Sequence, residues 1–446
     1  MFWNCWISVH RQAISTPVVL GETAQIRIAR IASEGLGKVK LNANAIATIL
    51  KLLKAPKPNA VDILSLMRTR EAGTTASCLR YLGRSIMFFV LPFLALSQFG
   101  AVAQQSAGSP PYKIGMTFRR FVPKGPYNWR GARTHALTTV IWYPAEASAH
   151  EQSVEIPGLN IFDLGAAARN AKMPVTPARF PLIVISHGTG GSGLSMAWLG
   201  EALAKQGYIA AAVNHLGNNA TEPYTVEGFA LRWERARDLS EVITGMLEDS
   251  EFGTHIDPNR IGAAGFSLGG YTVIEIACGS SDKGGSVHYC DTNQVGDIPA
   301  DPAEFPTLVK DFRELIREHP EVLKRSGNSL RDSRVRSVFA MAPALGTAFP
   351  ASGLKKISIP VEIVAGESDQ NIPIASSAKY FAAEIPGARL HIFGGDVGHY
   401  VFLDSCTDAG LKNVPLLCVD GPGVDRNAIH RDTARMASDF FRSTLK

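Results

Sequence analysis

A serine, an aspartate and a histidine stand in the chain in one of the orders from which acyl-transfer triads are built. Gly265-Phe-Ser267-Leu-Gly269-Gly270 follows one apolar stretch and opens another. This is the setting of a nucleophile turned outward on a tight strand-to-helix corner. The G-x-S-x-G spacing carries little weight by itself, since a serine there can simply cap a helix. A hydroxyl becomes a useful nucleophile only when a base takes its proton and a third group orients that base. Downstream, Pro360–Gly366 reads as a buried strand running into Glu367-Ser-Asp369, and Gly394-Gly-Asp-Val-Gly398-His399 follows the next strand. Asp369 is the candidate acid and His399 the candidate base. Glu367 is the rival acid, expected to be solvated. Asp396 and Asp404 lie too near His399 in sequence to reach its far nitrogen easily, and His391, inside a strand, is expected to pack in the core.

The tetrahedral intermediate of such a reaction needs preorganised donors for its oxyanion. Ser186-His187-Gly188-Thr189-Gly190-Gly191 ends an apolar strand upstream of the elbow, where one backbone donor is expected. The backbone N–H groups of Thr189 and Leu268 are therefore the candidate oxyanion hole. His187 is read as a structural part of that loop, because the base comes last in chain order.

These residues need a frame, and the sequence supplies one. Strand-like runs occur at Tyr112–Val122, Ala136–Trp142, Pro181–Ser186, Tyr208–Val213, Arg260–Gly265, Val335–Met341, Ile359–Ala365 and Arg389–Phe393. The middle ones are continuously apolar, as strands buried on both faces of a mainly parallel sheet must be. Helical patterns alternate with them at Leu194–Lys205, Phe229–Glu248, Leu268–Ala277, Ile374–Ala383 and Asn427–Leu445. That alternation predicts α/β architecture with right-handed crossovers. Residues 279–334 interrupt the rhythm with a polar start and an amphipathic stretch, Ala303–Leu323. Placed after the nucleophile helix, this insertion is expected to roof the crevice like a lid.

Composition closes other doors. With 46% hydrophobic and 19% charged residues in 446, the chain is of ordinary globular type. The net charge of +5 is misleading, because residues 1–103 hold 12 Lys/Arg against 4 Asp/Glu and the remainder 33 against 36. A nucleic-acid binder would concentrate positive charge on its folded part. No cofactor is implied: the glycines at 188–191 follow His187 in a pattern unlike G-x-G-x-x-G. No metal is implied either, since no C-x₂₋₄-C pair occurs.

The positive front has its own reading. Arg80 and Arg84 precede the apolar run Ile86–Leu96, and Ala101-Val-Ala103 then offers a small-x-small cleavage site. Residues 80–103 are expected to be a secretory signal peptide, too short in apolar length to span a bilayer. Residues 1–79 carry no readable motif and are left unassigned, with translation expected to start at Met67 or Met87. The domain proper is taken as 104–446, exported to the periplasm or beyond. Its four cysteines, Cys278, Cys290, Cys406 and Cys418, suit an oxidising compartment. They allow three pairings, of which the two local loops Cys278–Cys290 and Cys406–Cys418 are favoured.

The stretch Ile185–Asn214, the elbow GFSLGG and the segment GHYVF resemble platelet-activating factor acetylhydrolase and the bacterial predicted dienelactone hydrolases. The resemblance runs from about Tyr112 to the C-terminus. It implies an α/β-hydrolase fold of about eight strands and metal-free hydrolysis of carboxylic esters. It also implies Ser267 as nucleophile, His399 as base, and Thr189 and Leu268 as oxyanion donors. Two departures stand out. The acetylhydrolase places its acid after the sixth strand, where this chain has Met341-Ala-Pro-Ala-Leu-Gly346; true dienelactone hydrolases use cysteine where this chain has Ser267. The expected substrate is a small-molecule or lipid-like ester. An amidase or peptidase on the same scaffold would use the same groups, and a non-catalytic binding protein would be expected to have lost one of them.

Overall fold

The computed structural model describes residues 112–446 except 157, 159, 176–178, 279–293, 296–297, 300–304 and 322–328. The expected signal peptide and the segment before it lie outside the described residues, as does Cys290 and with it the pairing expected for Cys278. The described residues all fall within one compact unit, Ser106–Lys446.

Its framework is a ten-stranded open sheet. The strands are β1 (Lys113–Phe121), β2 (Leu137–Ala145), β3 (Gln152–Ser153), β4 (Ala166–Arg169), β5 (Phe180–Ser186), β6 (Ile209–Val213), β7 (Ile256–Phe266), β10 (Val335–Met341), β11 (Val361–Gly366) and β12 (Arg389–Phe393). They lie in the order β12-β11-β10-β7-β5-β6-β2-β1-β4-β3. Six neighbours, β12 to β6 in that order, run parallel, and β2 pairs antiparallel with both β6 and β1. The count exceeds the expected eight because β3 and β4 add an edge. A two-residue strand and the segment Ala-Ala-Ala-Arg offer neither alternation nor β-branched residues by which a strand is read.

Period-two geometry divides the apolar strands between two cores. Leu182, Val184, Ala263, Val338 and Ile363 face one layer; Ile183, Ile185, Ala264, Phe339 and Val364 face the other. In chain order the first helices are α1 (Ala197–Lys205), α2 (Val226–Ala230), α3 (Glu234–Glu248), α4 (Leu268–Cys278), α5 (Leu308–Glu318), α6 (Ala351–Leu354) and α7 (Ala378–Glu384), of which α3, α4 and α7 close the first layer. The second is closed by α1 and the C-terminal α10 (Arg426–Thr444), with α8 (Asp408–Asn413) and α9 (Pro415–Cys418) just before it. Every residue of α4 is buried, which explains an apolar pattern without a polar face. The single helix expected over Phe229–Glu248 is two, broken at Leu231–Trp233 between α2 and α3.

Of the insertion 279–334, the described parts include a short β8–β9 pairing (Gln294–Val295 with Ile298–Pro299) and α5. Phe312 of α5 is fully buried, and Phe305 just before it packs on Phe229 of α2 at 5.3 Å between ring centres. At the C-terminal side, Cys406 and Cys418 form a disulfide across α8 and α9. Phe162, in the β3–β4 connection, forms a β-bridge with Cys406, so the closed loop is anchored to the sheet's far edge.

Two predictions follow from this packing. Closing a loop of this length restricts the unfolded chain, so Cys406→Ser with Cys418→Ser should cost about 2–4 kcal/mol in urea unfolding. Glu201 on α1, whose carboxyl burial raises from 4.5 to about 7, should act through pH. A raised folded value means that its favourable contribution is complete below pH 4.5 and is lost as pH rises through 7. Glu201→Gln should therefore lose less melting temperature than the parent chain between pH 5 and pH 8.

Candidate active site

The parallel strands end level at one edge of the sheet. Ser186 is opposite Gly265, Phe266 opposite Met341, and Gly366 opposite Phe393. Every candidate residue leaves one of these strand ends, so a short reach from each loop brings them together. Ligand sites in open α/β sheets form at this carboxyl edge.

Ser267 sits between β7 and α4 with φ of +56°, a left-handed conformation that costs an ordinary residue about 1–2 kcal/mol. The surroundings hold it there. Its N–H donates to the Met341 carbonyl at 2.9 Å, and its carbonyl accepts from the N–H groups of Tyr271 at 3.1 Å and Ala344 at 3.0 Å. Glycine is needed on the inner side of this corner: a Cβ on Gly265 would overlap the Gly269 carbonyl, and one on Gly269 would overlap the Ser186 carbonyl oxygen.

Three side chains meet in line. The Ser267 hydroxyl lies 2.9 Å from Nε2 of His399, and His399 Nδ1 lies 2.6 Å from Oδ2 of Asp369. A carboxylate only accepts, so Nδ1–H donates to Asp369 and Nε2 is left to receive the serine proton. The other Asp369 oxygen accepts from the N–H groups of Asn371 at 3.0 Å and Ile372 at 2.7 Å, which fixes the carboxylate plane. All three residues are buried, and the Phe266 ring lies 4.9 Å from that of His399.

The rival carboxylates are elsewhere. Glu367 is exposed and accepts from Gly395 N–H at 2.8 Å; Asp396 is exposed as well. Asp404 is buried and accepts from Ala197 and Trp198 N–H, each at 3.0 Å, at the start of α1. Burial holds its carboxyl well above the usual carboxylate range. His391 is exposed, contrary to the expectation of a core residue, because β12 is an edge strand and only half covered.

Gly188 packs against Ser267: a Cβ there would come within 3.4 Å of the serine Cβ. Thr189 and Leu268 border one cavity together with Ser267 and His399, and Leu268 opens α4, where N–H groups lack intrahelical acceptors and the helix dipole favours negative charge. His187 is wholly buried, with Nδ1–H donating to Gly188 O at 2.6 Å and Nε2 accepting from His215 N–H at 3.1 Å. Burial, aided by the Arg235 charge, keeps it well below the usual histidine range.

The cavity measures about 730 Å³ and draws walls from both cores. Phe162, Leu164, Leu403 and Leu417 line it on the side of the disulfide loop, and Phe229, Leu308, Leu345 and Ile372 on the side of the insertion. Leu308 is the first residue of α5, so the described part of the insertion does contribute a wall.

One group of residues escaped the sequence reading. Arg130, Asn218, Arg235, Asp238 and His215 are fully buried or nearly so behind the Ser186–Gly191 loop. A signal for two of them was available: Arg235 and Asp238 fall on the same stripe of α3 as Leu239, Val242 and Met246, where charge should not be.

Residues 183–409, just over half of the chain, match the Alpha/beta hydrolase family, and the chain belongs to it. No curated protein matches it in sequence. Among solved structures it is similar to a ferulic acid esterase from Streptomyces cinnamoneus, with a TM-score of 0.51 at 19% identity. That likeness covers 77% of this chain and 92% of the other, and it is one of fold.

The corner at Ser267 yields a direct test. Gly269→Ala must displace either α4 or the Ser186 carbonyl, so it should cost about 1–3 kcal/mol in urea unfolding. In the fraction that remains folded, labelling of Ser267 by an organophosphonate should slow more than tenfold.

Proposed function

We propose that this protein is an exported serine hydrolase that cleaves carboxylic esters through an acyl-enzyme. The observation that carries the reading is the continuous line from Ser267 through His399 to Asp369, with hydrogen bonds of 2.9 and 2.6 Å at the edge of the sheet. Ser267 attacks the ester carbonyl while His399 accepts its proton; Asp369 keeps the imidazole in the needed tautomer and stabilises the imidazolium. The N–H groups of Thr189 and Leu268 hold the oxyanion. The protonated His399 then gives its proton to the departing alkoxide. Water enters, His399 takes its proton, and the acid leaves with Ser267 restored.

The apolar walls suit an ester whose acyl or alcohol part is hydrocarbon, which includes lipid-like esters. The resemblance of Ile185–Asn214 and GFSLGG to platelet-activating factor acetylhydrolase and the predicted dienelactone hydrolases supports a reading near that branch of the family. Its acid after β11 sits where the acetylhydrolase does not have one. Export to the periplasm or outside the cell is supported by the leader at 80–103 and by the Cys406–Cys418 disulfide, a bond that persists in oxidising compartments.

The test is hydrolysis of p-nitrophenyl esters from acetyl to dodecanoyl by the protein and by Ser267→Ala. Turnover should fall by several orders of magnitude in the variant. With about 0.8 kcal/mol per buried methylene, kcat/KM should rise by up to about fourfold per added carbon until the cavity is full. A folded protein with no ester turnover above that of Ser267→Ala would overturn the reading.

A further inference from the structure

Behind the Ser186–Gly191 loop lies a second chain of serine, histidine and aspartate, sealed from the cavity. Ser186 Oγ is 2.8 Å from Nε2 of His215, and His215 Nδ1 is 2.7 Å from Oδ2 of Asp238. Arg130 clamps both Asp238 oxygens from one nitrogen at 2.8 Å, and Tyr127 donates to Oδ1. Arg235, one turn before Asp238 on α3, donates from Nη2 to Ser186 Oγ at 3.4 Å and to the His187 carbonyl. His215 Nδ1–H is committed to Asp238, so its neutral ring offers Nε2 as an acceptor, and Ser186 Oγ donates to it while accepting from Arg235. The directions of the whole chain are thereby fixed. None of Ser186, His215, Arg235, Asp238 or Arg130 is more than 1% exposed. This serine can meet no substrate.

Burying two guanidiniums and a carboxylate is costly, and the charge pairing of Arg130 with Asp238 offsets part of that cost. Here the bonds converge on the loop backbone on either side of Thr189. Arg235 holds the His187 carbonyl, and His187 Nδ1 holds that of Gly188. Asn218 Oδ1 accepts the Gly190 N–H at 2.8 Å and also Arg235 Nη1 at 3.3 Å, so two donors require the oxygen and the carboxamide cannot be turned over. Tyr224 donates to the Gly190 carbonyl at 3.0 Å. Desolvation, reinforced by Arg235, keeps both His187 and His215 well below the usual histidine range, so both stay in the neutral forms these bonds require.

We propose that Arg235, braced by the Ser186–His215–Asp238–Arg130 chain and acting with Asn218, is the positioning residue that preorganises the Thr189 N–H for the oxyanion. The inference rests on the serine-esterase reading. Preorganised donors act only as charge develops in the transition state, so their loss lowers kcat and leaves ground-state binding unchanged. Arg235→Met removes the clamps on His187 and Asn218; Arg235→Lys keeps the charge but lacks the planar fork.

On the best p-nitrophenyl ester, Arg235→Met should lower kcat by about 10²–10³-fold, the effect of losing one oxyanion donor, with KM within threefold of the parent. The affinity of an alkylboronic acid, which forms a tetrahedral adduct on the serine, should fall by the same factor. The affinity of the product carboxylate should not change. Arg235→Lys should recover part of kcat, and Asn218→Ala should lose kcat with KM unchanged. A folded Arg235→Met with kcat within threefold of the parent, or with its loss appearing in KM and not in boronate affinity, would overturn the assignment. Should Arg235→Met fail to fold, Asn218→Ala decides by the same criteria. Absence of esterase activity and of a boronate adduct in the parent protein would instead bring down the esterase reading.

Discussion

The structure turns on how closely β7, α4 and the end of β5 approach one another around Ser267. The serine backbone is left-handed, and it stays so because its amide and carbonyl are bound to Met341, Tyr271 and Ala344. Such contacts are possible only where Gly265 and Gly269 leave no Cβ between three backbone segments. A local cost of about 1–2 kcal/mol is thus fixed in place by packing, because a strained conformation persists only where its surroundings over-determine it. Moving any of the three segments would move the hydroxyl relative to His399.

Much of this was legible in the sequence because its physical causes are local. The strands Val335–Met341 and Arg389–Phe393 coincide with the reading at both ends, and α10 differs from it by a single residue at each end. Buried parallel strands such as Phe180–Ser186 and Val361–Gly366 carry short, mainly apolar runs, and their length and the glycine or turn residues that bound them separate them from buried helices. Asp369 and His399 could be picked because each closes such a run with glycine or a carboxylate turn beside it. The structure brings them to hydrogen-bonding distance.

What stayed hidden depended on partners distant in sequence. β3 and β4 exist because β1 offers an edge, and their own residues do not announce a strand. His391 looked like a core residue because its strand is apolar in pattern, but exposure depends on whether a further strand pairs beyond it. The break at Leu231–Trp233 was masked by an apolar pattern continuous through α2 and α3. The buried polar chain at Arg130, His215 and Asp238 joins residues more than a hundred positions apart at its extremes. No window along the sequence contains it.

The cavity walls come from pieces of chain with different obligations to the fold. Leu308 belongs to an insertion between α4 and β10, and Leu417 to a cross-linked loop before α10, whereas Ser267, Asp369 and His399 stand just past the ends of β7, β11 and β12. Lengthening or reshaping either wall leaves the strand ends where they are. The two halves of a bound molecule can consequently be accommodated by separate adjustments, one on each flank of the sheet.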